Sequence, residues 1–269
     1  MVKPPHVTVL FVPANRPDRF AKAESSGADA IIIDLEDAVA PEAKVAARST
    51  LRLPGVLPKG SDVFVRVNSR QTPWYSDDLV AVAQLSIAGI VLPKTESVED
   101  IEATSQSIPG ARVIALIETA RGLASVREIS GATGVTRLAF GSIDFCVDIG
   151  AAHEREALLA ARSEIVLASR LMELQPPLDG VTTALDDSAL IEEDARYAHR
   201  LGFGGKLCIH PSQIVPVRRG FASSPEEIAW AKRVLADGAT EAISVDGMMV
   251  DSPVRARARQ ILALDSKTR

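Results

Sequence analysis

Val7-Thr8-Val9-Leu10-Phe11-Val12, followed by Pro13-Ala14-Asn15-Arg16-Pro17, is a strand and the turn that leaves it, and the turn decides the fold. Six nearly continuous apolar residues read as a strand buried on both faces, as in a parallel sheet covered by helices. An open doubly wound sheet carries a Gly-rich phosphate loop after its first strand. The turn here has no glycine, so a closed barrel is the better reading.

Seven more such runs follow, at Ala30–Ile33, Val63–Val67, Gly89–Leu92, Val113–Ile117, Leu138–Phe140, Leu178–Val181 and Lys206–Ile209. Helical spacing fills the gaps: Pro17–Ser26, Glu42–Leu51, Asp77–Ser86, Val98–Ser107, Leu123–Ile129, Glu156–Leu174, Ala189–Leu201 and Pro225–Leu235. Ser97 with Asp100 forms a capping-box start, and Ser224-Pro225-Glu226-Glu227 supplies an N-cap, a first-turn proline and acid. Gly27 and Gly202 sit where helices should stop. Eight strands alternating with eight helices predict an α/β fold, a (β/α)8 TIM barrel over residues 1–240. Residues 241–269 then form a C-terminal helical extension with the Gly247-Met248-Met249-Val250-Asp251 segment.

Composition supports this class. At roughly 150 residues per domain, 269 residues give one or two domains, and barrels of about 250 residues commonly form one. Lys and Arg number 30 against 35 Asp and Glu, a net charge of −5 that argues against a nucleic-acid partner. Hydrophobic residues at 46 % and charged residues at 24 % exclude wholesale disorder. Two cysteines, Cys146 and Cys208, are too few for a disulfide scaffold and read as inert core thiols. No apolar run reaches the roughly 18 residues of a membrane span, and Pro13 cuts short any signal-peptide core. The expected compartment is the cytoplasm, with no membrane partner.

Barrel active sites are built at the C-terminal strand ends. Those ends read Asn15/Arg16, Asp34-Leu35-Glu36-Asp37, Arg66-Val67-Asn68, Lys94, Glu118, Asp144, Thr182/Thr183 and His210. Several carboxylates, three cations and a histidine on one mouth point to function beyond ordinary loop polarity. Glu118 and Asp144 end consecutive strands, and adjacent carboxylates repel unless a cation neutralises them. Hard oxygen donors without cysteine or paired histidine favour Mg²⁺, the alternative being that each acid caps a helix. Arg66 is either a fork for a substrate carboxylate or oxyanion, or the partner of Glu36 or Asp37 in a structural ion pair. His210, held extended by Pro211, reads as structural, and Asp34 as a supporting acid. Trp74 and Tyr75 either cover the mouth or anchor their loop. From spacing alone, Asp251 before Ser252-Pro253 is a helix N-cap.

The motifs together resemble a known family. Leu10 to Phe20, Asp34-Leu35-Glu36-Asp37-Ala38-Val39, Arg66-Val67-Asn68, Leu92-Pro93-Lys94, Ile117-Glu118-Thr119, Gly141 to Gly150, Ile209 to Ile214 and Gly247 to Pro253 occur in order over residues 7–265. They resemble the citrate lyase β-subunit-like family of the HpcH/HpaI aldolase superfamily, with malyl-CoA and citramalyl-CoA lyases as relatives. The resemblance implies a Mg²⁺-dependent lyase (Mn²⁺ being the alternative ion) that splits a 3-hydroxyacyl thioester by retro-Claisen reaction. Glu118 and Asp144 would be the metal ligands, Arg66 the substrate-binding arginine, and Glu36, Asp37 and Lys94 their supports. Asp251 would be the acid/base, supplied across a subunit boundary, which reverses the capping reading. The CoA moiety would run along Phe11, Arg16, Lys22, Ile209 and His210. The expected assembly is a homotrimer or hexamer, with an acyl-carrier protein as an alternative thioester handle. Competing expectations are malate-synthase-like condensation or thioester hydrolysis, and a citrate lyase subunit active only with carrier and transferase partners. Ala14 replaces the usual glycine of the first loop, and Ile143 replaces an acid.

Overall fold

In the computed structural model the eight strands close into one parallel barrel in sequence order, the last pairing with the first. They are β1 (Thr8–Pro13), β2 (Ala30–Asp34), β3 (Asp62–Arg66), β4 (Gly89–Leu92), β5 (Val113–Ile117), β6 (Val135–Phe140), β7 (Gln175–Asp179) and β8 (Gly205–Cys208). The structure describes residues 6–236, 243–245 and 248–268. It divides into two compact units, a barrel unit up to Gly220 and a C-terminal unit from Phe221.

Alternation along each strand explains the barrel interior. Val9, Ala30, Ile32, Phe64, Val91, Ile114, Leu116, Ala139, Leu178 and Leu207 form one buried cluster, with Phe11 and Val181 packed against it. Their in-between neighbours, among them Ile31, Ile33, Val65, Ile90 and Ile117, are also fully buried and face the helical layer. Two buried faces are why the sequence shows continuous apolar runs. Arg137 is buried near the other end of the barrel, donating to the carbonyls of Pro176 (2.7 Å) and His6 (2.8 Å).

The expected helix starts hold. Ser97 N–H donates to Asp100 at 3.1 Å, and Ser224 and Glu227 cap each other reciprocally. Gly202, with φ 102°, closes Ser188–Leu201. Tyr75 is buried, donating to or accepting from Thr104 at 2.7 Å, and Lys44 lies over the Trp74 ring, so both aromatics anchor their loop.

Three expectations shift. β7 starts three residues before the expected Leu178, because Pro176 and Pro177 read as strand breakers. The β6–β7 ladder is irregular there, and the Arg137 side chain supplies a donor to Pro176 O. Two helices were not expected, Ser142–Ile149 and Ile214–Phe221. The first is rich in β-prone side chains, and the second has Pro216 in its opening turn, where proline is tolerated. Ile214–Phe221 therefore takes the eighth barrel-helix position. Pro225–Leu235, expected there, packs instead against Ser252–Thr268 in the C-terminal unit around Ala231, Val234, Val250, Ala258 and Ile261. In that unit Ile243–Val245 pairs antiparallel with Met248–Val250. Gly247 of the Gly247–Pro253 motif lies outside the described residues.

Candidate active site

A cavity of about 700 Å³ opens at the C-terminal ends of the barrel strands. Register and alternation together decide what enters it. Asp34 lies two residues beyond interior Ile32, Arg66 two beyond Phe64 and Glu118 two beyond Leu116, so all three side chains face the axis. Asp34 and Arg66 are also register partners on adjacent strands. Arg66 donates from Nε (2.7 Å) and Nη2 (2.6 Å) to the two Asp34 oxygens, and Nη1 stands 3.0 Å from Glu36 and 3.8 Å from Asp37. Its guanidinium also covers the Phe11 ring at 4.7 Å. Burial works against the Arg66 charge, but Asp34, Glu36 and Glu118 outweigh it and raise its pKa.

Glu118 is 1 % exposed. Its Oε1 accepts the Lys94 backbone N–H at 2.6 Å, and its Oε2 is buried with no hydrogen-bond partner. Burial pushes the carboxyl up to about 8; Glu36 and Asp144 add to the rise, while Lys94 and Arg66 oppose it. Lys94 holds a positive φ of 47°. Its Nζ donates to Glu36 at 2.6 Å and lies 3.8 Å from Glu118 and 4.0 Å from Asp37. Burial opposes the Lys94 charge, yet Glu118 and Glu36 raise its pKa. Glu36 is itself raised by burial, against the pull of Arg66.

Ile117 and Phe140 are register partners, which sets Glu118 beside Gly141. A Cβ on Gly141 would collide with the Glu118 carboxylate, so glycine is what lets that side chain through. Gly141 is the N-cap of Ser142–Ile149, and Asp144 lies in that helix's first turn, half-buried and lining the cavity.

Comparison with known proteins fits this geometry. The family model for HpcH/HpaI aldolase/citrate lyase matches residues 7–211. The chain belongs to that family. A citrate lyase subunit beta-like protein of Mycobacterium tuberculosis is 39 % identical over 262 residues, covering 94 % of this chain and 93 % of the relative. A (3S)-malyl-CoA thioesterase of Cereibacter sphaeroides is 33 % identical over 270 residues, covering 96 % and 94 %. The crystal structure of CitE from M. tuberculosis with magnesium, acetoacetate and coenzyme A superposes with a TM-score of 0.88 at 36 % identity, covering 97 % of this chain and 98 % of that one. The chain is an enzyme of the citrate lyase β-like, CoA-ester lyase class.

The donor set fits the magnesium that this family implies. Mg²⁺ keeps several waters and takes one or two protein carboxylates. Among the described residues no three His, Cys, Asp or Glu side chains gather as a ready ligand set. Glu118 and Asp144 would supply two, and Glu118 Oε2 is a buried acceptor with no hydrogen-bond partner.

Other family positions divide. Phe11, Lys22, Ile209 and His210 line the cavity together with Asp37, Arg66, Glu118 and Asp144. Arg16 does not line it; its guanidinium is tied to Asp18 at 2.9 and 2.7 Å, and Arg19 stands on the cavity wall instead. The i, i+2 spacing of Arg16 and Asp18 was the signal for that pairing. Glu36 and Lys94 lie behind the wall as partners of Arg66 and Glu118. His210 caps the turn Pro211–Gln213, its Nδ1 2.7 Å from Ser212 Oγ. Asp251, in the C-terminal unit, accepts the Val254 N–H at 3.2 Å and so caps Ser252–Thr268.

Sequence reasoning did not foresee the bracing around the Arg66 segment. Asn68 donates to Asp78 (2.6 Å) and to Leu35 O (3.0 Å), while Lys44 Nζ donates to the carbonyls of Leu35 and Glu36 at 2.9 Å. Nor did it foresee Ser142 Oγ on the cavity wall, 2.9 Å from His153 Nε2. These partners lie 8 to 33 residues apart in sequence and carry no short-range pattern.

Proposed function

We propose that this chain is a Mg²⁺-dependent carbon–carbon lyase that cleaves a 3-hydroxyacyl thioester of the malyl-CoA, citramalyl-CoA or citryl-CoA type by a retro-Claisen reaction. The observation carrying it is the buried, partnerless Glu118 Oε2 near Asp144 in a cavity that also holds Arg66. Mg²⁺ (or Mn²⁺) held by Glu118 and Asp144 would supply Lewis acidity to a 2-hydroxy-acid unit. Asp34 pins one edge of Arg66, and the guanidinium keeps N–H groups on its Nη atoms for the thioester carbonyl oxygen. Charge develops on that oxygen when the C–C bond breaks, so a preset cation lowers the barrier. Lys94 holds Glu118 through its backbone N–H and Glu36 through its ammonium, fixing both carboxylates before substrate arrives. Asp251 then gives a proton to the enolate carbon while the carbinol hydroxyl's proton leaves to bulk water, which reprotonates Asp251; in condensation Asp251 takes a proton from the thioester methyl carbon. Lys22, Phe11, Ile209 and His210 form the path for the CoA handle.

The segment 241–269 is assigned to packing on a neighbouring subunit of a homotrimer or hexamer, which would bring Asp251 to the mouth. A second reading, thioester hydrolysis, is favoured by the likeness to (3S)-malyl-CoA thioesterase. A subunit working only with an acyl-carrier protein is the third.

Product analysis separates them. Purified protein with Mg²⁺ and each thioester should release acetyl-CoA and a keto acid, lost on adding EDTA and lost in Asp144→Ala. Release of free CoA and a hydroxy acid instead would establish hydrolysis, and no turnover with retained Mg²⁺ binding would point to the carrier-dependent subunit. An Asp251→Asn protein that keeps both fold and rate would remove the acid/base assignment.

A further inference from the structure

The cavity lining combines apolar side chains with charged ones. Phe11, Leu116 and Leu207 face the barrel axis, and Val181 packs on the same cluster; all four line the cavity. Ile143 adds a branched aliphatic side chain to that lining beside Asp144. Four acids, Asp34, Asp37, Glu118 and Asp144, line the cavity beside the cations Arg19, Lys22 and Arg66, and Glu36 and Lys94 stand behind them.

The inner cations already face these acids, and the N–H groups that Arg66 keeps are the ones assigned to the thioester carbonyl. Arg66 is shared between Asp34 and Glu36, and Lys94 sits 2.6 Å from Glu36 and within 4.0 Å of Asp37 and Glu118. Arg19 and Lys22 also line the cavity, but both are exposed and belong to the segment after β1, where the thioester handle is placed. His210 is exposed as well, its Nδ1 committed to Ser212.

A 3-hydroxyacyl thioester of this kind carries a hydroxyl, a carboxylate and one further substituent on its carbinol carbon. We infer that the further substituent is an uncharged alkyl group, so that cleavage releases a 2-keto acid with a single carboxylate. A second carboxylate in that place would meet apolar side chains and nearby acids, with Arg66 engaged by Asp34, Glu36 and the thioester carbonyl and Lys94 engaged by Glu36. Such a placement is disfavoured both by desolvation and by like charge. A methyl or ethyl group buries usefully against Ile143, Leu116 and Val181. The inference rests on the lyase reading and narrows its substrate.

The test compares three thioesters that differ only at that substituent: malyl-CoA (hydrogen), citramalyl-CoA (methyl) and citryl-CoA (carboxymethyl). Citramalyl-CoA should have the highest kcat/KM, and citryl-CoA should fall at least about 100-fold below it. Citryl-CoA cleaved within about tenfold of citramalyl-CoA would overturn the inference. Should none be cleaved, the lyase reading fails, and calorimetric titration of pyruvate, 2-ketobutyrate and oxaloacetate in the presence of Mg²⁺ still decides the pocket. The two monocarboxylates must bind more tightly than oxaloacetate. Ile143→Lys, checked for unchanged Mg²⁺ affinity, should raise the oxaloacetate-to-pyruvate affinity ratio at least about tenfold. An unchanged ratio would overturn the role of this wall.

Discussion

At Gly141 a single missing methyl group decides whether the site exists. The backbone of β6 leaves the barrel beside Glu118, and any Cβ there would occupy the carboxylate's place. Gly141→Ala should therefore displace Glu118, costing about 1–3 kcal/mol of stability by overpacking. It should also lower Mg²⁺-dependent turnover by two orders of magnitude or more. Thermal unfolding together with titration of Mg²⁺ affinity checks both, and a variant with native Mg²⁺ affinity would show that Glu118 is free to move aside. Lys94 makes a related point. Its left-handed backbone aims its N–H at Glu118 and its ammonium at Glu36, so one residue in an uncommon conformation fixes two acids. The cysteines are silent by comparison. Both are buried, and burial pushes the Cys208 thiol up to about 12 against the pull of Lys206.

Between elements, the barrel wall is tied to its helices by buried charge on the β7–β8 side. Asp179 lies next to interior Leu178 and so faces outward, where Arg162 of helix Arg155–Leu171 donates to it at 2.9 Å and Lys206 of β8 at 3.3 Å. Burial alone would raise the Asp179 pKa, but these two cations win and lower it. A carboxyl depressed below its unfolded value of about 3.9 stabilises the fold above that pH, and loses the contribution as pH falls through the folded value. Asp179→Asn should therefore unfold at lower urea at pH 7, because two buried cations lose their partner. Its stability should also vary less than the parent's between pH 4 and pH 2. Urea midpoints across that range check the sign; a steeper acid limb in the variant would contradict it. The same interface shows how little of it short-range reading could reach. β7 begins at Gln175 despite two prolines, and helix Ile214–Phe221 takes the eighth barrel place that Pro225–Leu235 was expected to fill.

At the scale of the whole molecule, Asp251, the proposed acid/base, belongs to the C-terminal unit, and Glu118 and Asp144, the proposed metal ligands, belong to the barrel unit. If neighbouring subunits share sites, two dead proteins should rescue each other. Mixing Asp144→Ala with Asp251→Asn after joint refolding should restore part of the thioester-cleaving rate, since some sites then pair an intact Asp144 with an intact Asp251 from the neighbour. A mixture as inactive as its components, with mixed oligomers verified by mass, would place both residues in the same subunit. Among the described residues no helix is long and apolar enough to cross a membrane.

The linear sequence by itself determined the barrel: continuous apolar strands buried on both faces, helical spacing between them, a first turn without glycine, and chemistry gathered at the strand ends. It also determined which side chains enter the mouth, because alternation carries Ile32 to Asp34, Phe64 to Arg66 and Leu116 to Glu118 once the strands are right. Tertiary structure alone decided the pairings. Arg66 rests on Asp34 in preference to Asp37, and Glu118 is left with one oxygen unpaired. The reason is that burial and pattern are local properties of a chain, whereas an ion pair depends on strand register and on which competing partner stands closest in three dimensions.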